Sequence, residues 1–145
     1  MPDIKMTVEF LKKVPLFDSL KNRQLESLAK SFVERHYPAG KEIVTQGQGG
    51  EGFFIVVKGK CQAVRTRPDG EKVVVNQFEK GGYFGELALL DAGLRTASVV
   101  ALEDTECLVL TRWDFLATLK EDGEMAVEIL QEMARRFRLA LDSMQ

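Results

Sequence analysis

The spacing of apolar positions changes character twice along the chain, near residue 33 and again after residue 110. Val8, Leu11 and Val14 recur at helical intervals, and Pro15 breaks the run before Leu16 and Phe17. Residues 5–31 therefore read as helical. Ser19 is placed to cap a helix over 21–31, whose apolar face is Leu25, Leu28, Ala29 and Phe32. Between 33 and 110 the pattern becomes short runs rich in Val, Ile and Phe, at 41–45, 53–57, 61–66, 72–78, 97–102 and 106–110. Glycine-bearing turns separate them, and Pro68-Asp69-Gly70 is a hairpin signal in which proline presets one dihedral and glycine supplies another. After Leu110 the helical period returns, with Thr111 placed to cap 112–120 and Asp122 or Gly123 to open a helix over 122–144. The pattern predicts an α+β fold: an antiparallel β-roll or jelly-roll barrel flanked by N-terminal helices and two C-terminal helices.

In the last helix, Ala126, Leu130, Met133, Phe137, Ala140 and Met144 follow the alternating four–three spacing of a coiled-coil seam, widened by Ile129, Ala134 and Leu141. Two readings stay open: an amphipathic helix folded onto its own barrel, or a homodimer through residues 124–145. Arg135, Arg136 and Arg138 lie on or beside this seam, as a solvated face or within reach of a ligand. Trp113, after the last strand, reads as a packing anchor between barrel and helix.

Length and charge bound the rest. A chain of 145 residues suits one domain, 1–145, with a helical segment 1–32, a roll 33–110 and closing helices 111–145. Twenty basic and 22 acidic residues give a net charge of −2 with the signs interspersed, so the basic face of a nucleic-acid binder is not expected. Cys61 and Cys107 are far apart, have no metal spacing and sit in apolar runs, which predicts buried free thiols. No apolar run approaches the ~20 residues that span a bilayer, and no signal segment is expected. The expected location is cytoplasmic, with no membrane partner.

Residues 81–98 carry the chemistry. The apolar run Leu87 to Leu90 after Gly85-Glu86 predicts a short helix, closed by Asp91-Ala92-Gly93 with Gly93 in the left-handed conformation. The helix start offers unpaired N–H groups to an anion, Gly85 lets a ligand approach the backbone, and Arg95 supplies a planar fork for phosphate oxygens. Glu86 repels a phosphate but can accept a hydrogen bond from a sugar hydroxyl. A ligand with one anionic group beside one hydroxyl fits, and a ribose cyclic monophosphate is such a ligand. The plainer alternative is a Glu86–Arg95 ion pair on a solvated loop, with Phe84, Leu87, Leu89 and Leu90 as ordinary core.

Phe84-Gly85-Glu86-Leu87-Ala88-Leu89-Leu90, followed by Arg95-Thr96-Ala97, resembles the phosphate-binding cassette of the cyclic-nucleotide-binding domain family. Weaker echoes run from Val14-Pro15-Leu16-Phe17 through Pro38-Ala39-Gly40 and Phe54-Ile55-Val56-Val57-Lys58-Gly59. The resemblance implies a cassette over 82–97 in which Glu86 holds the ribose 2′-hydroxyl and Arg95 the cyclic phosphate. Backbone amides of Gly85, Leu87, Ala88 and Thr96 would complete the cradle. Leu94 departs from the family, where many members place proline before the arginine. The implied function is a receptor or regulatory domain for cyclic AMP, or for cyclic GMP, that couples binding to its C-terminal helices and signals to an effector protein. Thr96 fits either purine. A ligand-free scaffold that dimerises by its last helix is the alternative.

Other chemistries fare poorly. Gly47 to Gly52 satisfies G-x-G-x-x-G, but the β-prone run from Phe53 to Val57 follows where a dinucleotide site needs a helix. The segment reads as a turn between strands. His36 is the only histidine, too few for a metal site of the cupin kind and no obvious base for a nucleophile. No enzyme, resident metal, cofactor or direct DNA contact is expected.

Overall fold

The computed structural model of the chain describes residues 2–49, 52–91 and 93–144. Three short helical pieces come first: α1 (Ile4–Leu11), a 3₁₀ turn (Pro15–Phe17) and α2 (Asn22–Ala29). Ser19 is not the cap of α2. Lys21 holds the N-cap position, and Gln24 Oε1 accepts its backbone N–H at 2.8 Å. The helix starts where that backbone bond is available, two residues later than a cap at Ser19 would set it.

Among the described residues, eight strands follow in two antiparallel four-stranded sheets, so the predicted roll is observed. They are β1 (Val33–Tyr37), β2 (Glu42–Val44), β3 (Gly52–Lys58), β4 (Cys61–Thr66), β5 (Lys72–Phe78), β6 (Tyr83–Phe84), β7 (Ser98–Ala101) and β8 (Thr105–Thr111). One sheet runs β1-β8-β3-β6 and the other β2-β7-β4-β5. β1 and β6 were not among the predicted runs. Val-Glu-Arg-His-Tyr is mostly exposed at the edge of its sheet and takes its order from pairing with β8. β6 has only two residues, paired with Phe54 and Ile55. The Pro68-Asp69-Gly70 turn joins β4 to β5 as predicted, with Gly70 at φ 88°.

Two apolar clusters divide the core. Between the sheets lie Phe54, Val56, Cys61, Ala63, Phe84, Val99, Cys107 and Val109. Both cysteines are free and buried there, and burial pushes the Cys61 thiol up to about 11 and that of Cys107 to about 12. On the outer face of the first sheet, Phe53, Ile55, Leu108 and Leu110 meet Leu11, Phe17, Leu28, Phe115, Met125 and Ile129 of the helices. Phe53 packs against Phe17 at 5.8 Å between centroids, edge to face.

The closing helices are α3 (Arg112–Glu121) and α4 (Gly123–Ser143). Their caps are the predicted ones: Thr111 accepts from Asp114 N, and Asp122 accepts from Met125 N. Trp113, however, is no packing anchor. It is 66% exposed beneath the Arg112 guanidinium, which lies 5.3 Å from its ring. Two residues along a helix turn the side chain through about 200°, so Phe115 takes the buried face instead. In α4, Met125, Ile129 and Met133 pack on the chain's own core, whereas Leu130, Phe137, Leu141 and Met144 are exposed. The first half of the helix therefore folds onto the barrel, and the predicted seam is split: Met133 packs inward, while Leu130, Phe137 and Met144 look outward. Among the described residues, no helix is long and apolar enough to cross a membrane.

Candidate functional site

Between β6 and β7 the chain makes the short helix the leucines suggested, as a 3₁₀ turn over Glu86–Leu89. The left-handed residue lies at its start. Gly85 has φ 88°, while Gly93 does not adopt a positive φ. Ala92 lies outside the described residues; Asp91 Oδ1 accepts the Gly93 N–H at 2.9 Å and closes the turn.

Gly85 sits where it does because nothing larger fits. A Cβ there would lie 2.6 Å from Arg95 Nη1 and 2.7 Å from the Gly52 carbonyl oxygen. The Arg95 guanidinium is laid against bare backbone, donates from Nη2 to Gly52 O at 2.8 Å, and stands 5.9 Å from the Phe54 ring. The backbone of Arg95 is held as well: its N–H donates to Gln48 O at 2.8 Å, and its carbonyl accepts from Gly47 N at 2.9 Å. Beneath, Phe84 stacks on Phe54 at 4.9 Å and 7°, with Phe78 tilted against it at 5.1 Å.

The six residues singled out in the sequence, Gly85, Glu86, Leu87, Ala88, Arg95 and Thr96, all line one cavity of about 610 Å³. Glu86 and Arg95 do not form the surface ion pair of the plainer alternative. Arg95 turns to Gly52, and Glu86 faces Arg136 of α4, with Oε1 3.9 Å from Nη2. Leu87 is 56% exposed, so it is no core residue, whereas Leu89 is fully buried. The Ala88 N–H already donates to Gly85 O at 3.0 Å, so a ligand would share that donor.

The opposite wall comes from the β4–β5 hairpin, through Ala63, Arg65, Val75, Asn76 and Phe78. None of these was picked out from the sequence, although residues 63 and 65 share one face of β4 by strand alternation. Arg65 donates from Nε to Thr96 O at 3.3 Å. The Tyr83 hydroxyl next to Glu86 has its pKa raised, first by burial and then by that carboxylate.

The cavity gathers two arginines, Arg65 and Arg95, two carboxylates, Glu86 and Asp91, and a stretch of backbone, a set of groups with the chemistry to meet an anion beside a hydroxyl. Residues 34–122 match the family described as "Cyclic nucleotide-binding domain". The chain belongs to that family. Its relatives in the family include the "Cyclic AMP receptor protein" of Thermus thermophilus, 38% identical over 130 residues, which covers 90% of this chain and 60% of that protein. The "cAMP-dependent protein kinase regulatory subunit" of Mycosarcoma maydis is 39% identical over 98 residues, 68% of this chain and 18% of that subunit. This chain thus spans less than two thirds of either relative. Among solved structures, the N-terminal domain of a transcriptional regulator from Streptomyces coelicolor superposes with a TM-score of 0.85 at 32% identity, covering 94% of this chain and 95% of that one.

Proposed function

We propose that this domain is a cyclic nucleotide receptor that couples binding to its C-terminal helices. The observation that carries the reading is the convergence of Gly85, Glu86, Leu87, Ala88, Arg95 and Thr96 on one cavity, with Arg95 preset against Gly85. In this reading Arg95 pairs with the cyclic phosphate and the amides of Gly85, Leu87, Ala88 and Thr96 add donors. Glu86 accepts from the ribose 2′-hydroxyl. A four-residue 3₁₀ turn has little macrodipole, so its contribution is local N–H donors.

The ion pair between Glu86 and Arg136 supports the coupling. A ribose hydroxyl bonded to Glu86 changes what Arg136 faces, and α4 responds only by the difference in affinity between its two positions. The exposed Leu130, Phe137, Leu141 and Met144 favour a homodimer through α4 as the output surface, presented to an effector protein. Cyclic AMP is the preferred ligand, in keeping with the two named relatives, and cyclic GMP the competitor. Two unbridged thiols suit a reducing, cytoplasmic compartment. The role is regulatory, not catalytic, and needs no metal or cofactor.

Calorimetry and thermal shift with cyclic AMP and cyclic GMP test this directly. Saturation near 100 times Kd stabilises a protein that binds only when folded by about 2.7 kcal/mol. No shift and no heat with either nucleotide, together with mass that rises with concentration regardless of ligand, would leave a dimerising scaffold instead.

A further inference from the structure

The stretch 94–96 is held by hydrogen bonds more than by packing, since Leu94 is 67% exposed and Thr96 is exposed as well. Most of these bonds lead to one turn. Gly47 N–H donates to Arg95 O, Gln48 O accepts Arg95 N–H, and Gly49 bridges to Leu94. Gln46 opens that turn and is bonded three times. Its N–H donates to Ser98 Oγ at 2.9 Å, its Nε2 donates to Thr66 O at 2.9 Å, and its Oε1 accepts Thr66 N–H at 2.7 Å.

The carboxamide thus meets Thr66 as one residue meets another in an antiparallel ladder, giving and taking one bond with the same backbone. We propose that Gln46 is a positioning residue for the ligand site: it locks the 46–49 turn to the end of β4, and that turn in turn fixes both backbone groups of Arg95. Thr66 closes the circuit, because its neighbour Arg65 holds Thr96 O. Glutamine suits the task because it offers a donor and an acceptor together at the end of a side chain long enough to reach β4. The clamp supplies the loop rigidity that proline before the arginine would supply, where this chain has Leu94. Little slack is available at the other end, because the Arg95 guanidinium already rests against Gly85. A displaced backbone at residue 95 therefore misplaces the fork.

This inference rests on the receptor reading for its effect on affinity, but not for the clamp itself. The test is a double-mutant cycle read by calorimetry with cyclic AMP, alongside the Arg95 Nε–H resonance in the ligand-free protein. Gln46→Ala should weaken binding roughly tenfold with Arg95 present and change it little in an Arg95→Ala background, because the clamp acts through that arginine. Gln46→Glu keeps the acceptor for Thr66 N–H, loses the donor and should fall between. Gln46→Ala should also shift or broaden the Arg95 Nε–H signal. Equal losses in both backgrounds, or an unmoved Arg95 signal, overturn the positioning role. If the unmodified protein binds no nucleotide, the receptor reading fails, and the ligand-free resonance still decides whether Gln46 orders Arg95.

Discussion

The cassette and the helix that meets it at Glu86, α4, are built to different standards of rigidity. On one side Arg95 is fixed through its backbone N–H, its carbonyl and its guanidinium, above three interlocked phenylalanines. On the other, α4 is anchored by Met125 and Ile129 near its start, and its later turns carry Phe137 at 65% and Met144 at 81% exposure. What joins α4 to the cassette is an ion pair at 3.9 Å between half-buried side chains. A site preorganised for the charged part of a ligand binds without first ordering that part, and under the proposed function the response then resides in the looser helix.

Removing the pin of the helical layer at α3 should have the largest effect. Phe115 is fully buried, 6.2 Å from Phe17 between centroids, and Phe115→Ala should cost about 3–5 kcal/mol in a urea titration. An unchanged midpoint would show that α3 is held elsewhere. Next comes the fixed cassette. Arg95→Ala should weaken cyclic AMP binding by about 1.5–3 kcal/mol by calorimetry, whereas Arg136→Ala should cost no more than about 1 kcal/mol. A reversal of that order would move the rigid contact to the helix and undo the contrast. Trp113→Ala should change stability by less than about 0.5 kcal/mol, and its indole emission should be open to an aqueous quencher, because the ring is outside.

The smallest effect lies at the hinge end of α4. Lys21 Nζ lies 2.6 Å from Glu124 Oε1, and that hydrogen bond holds the Glu124 carboxyl below the usual carboxylate range. A depressed folded value means that the tie is present above the unfolded carboxylate pKa and is lost as pH falls through the folded one. Lys21→Ala should therefore lower the thermal midpoint slightly at neutral pH and leave it unchanged in strong acid. A constant difference across the titration would exclude the ion pair as its source.

What could be read in advance depended on how local the cause was. The cassette was legible because Gly85, Glu86 and Arg95 each declare a chemistry within eleven residues. The inner strands and the caps of α3 and α4 were legible from alternation and from Thr111 and Asp122. β1 was hidden because an exposed edge strand of Val-Glu-Arg-His-Tyr has no apolar alternation, and pairing with β8, more than sixty residues on, creates it. Trp113 misled because a bulky aromatic at a helix start suggests burial, while helical phase decided the matter two residues later. Arg136 was in view as one of three arginines, but its meeting with Glu86 across fifty residues is a tertiary fact.

The closed environment of the two native thiols has a practical side. Cys61 and Cys107 are the chain's only cysteines, both are buried, and neither forms thiolate readily at neutral pH. The protein is therefore a quiet background for site-directed labelling. A Leu87→Cys, Phe137→Cys pair would take spin labels at those two exposed positions, and the distance between them, with and without nucleotide, would test in ångströms whether α4 moves.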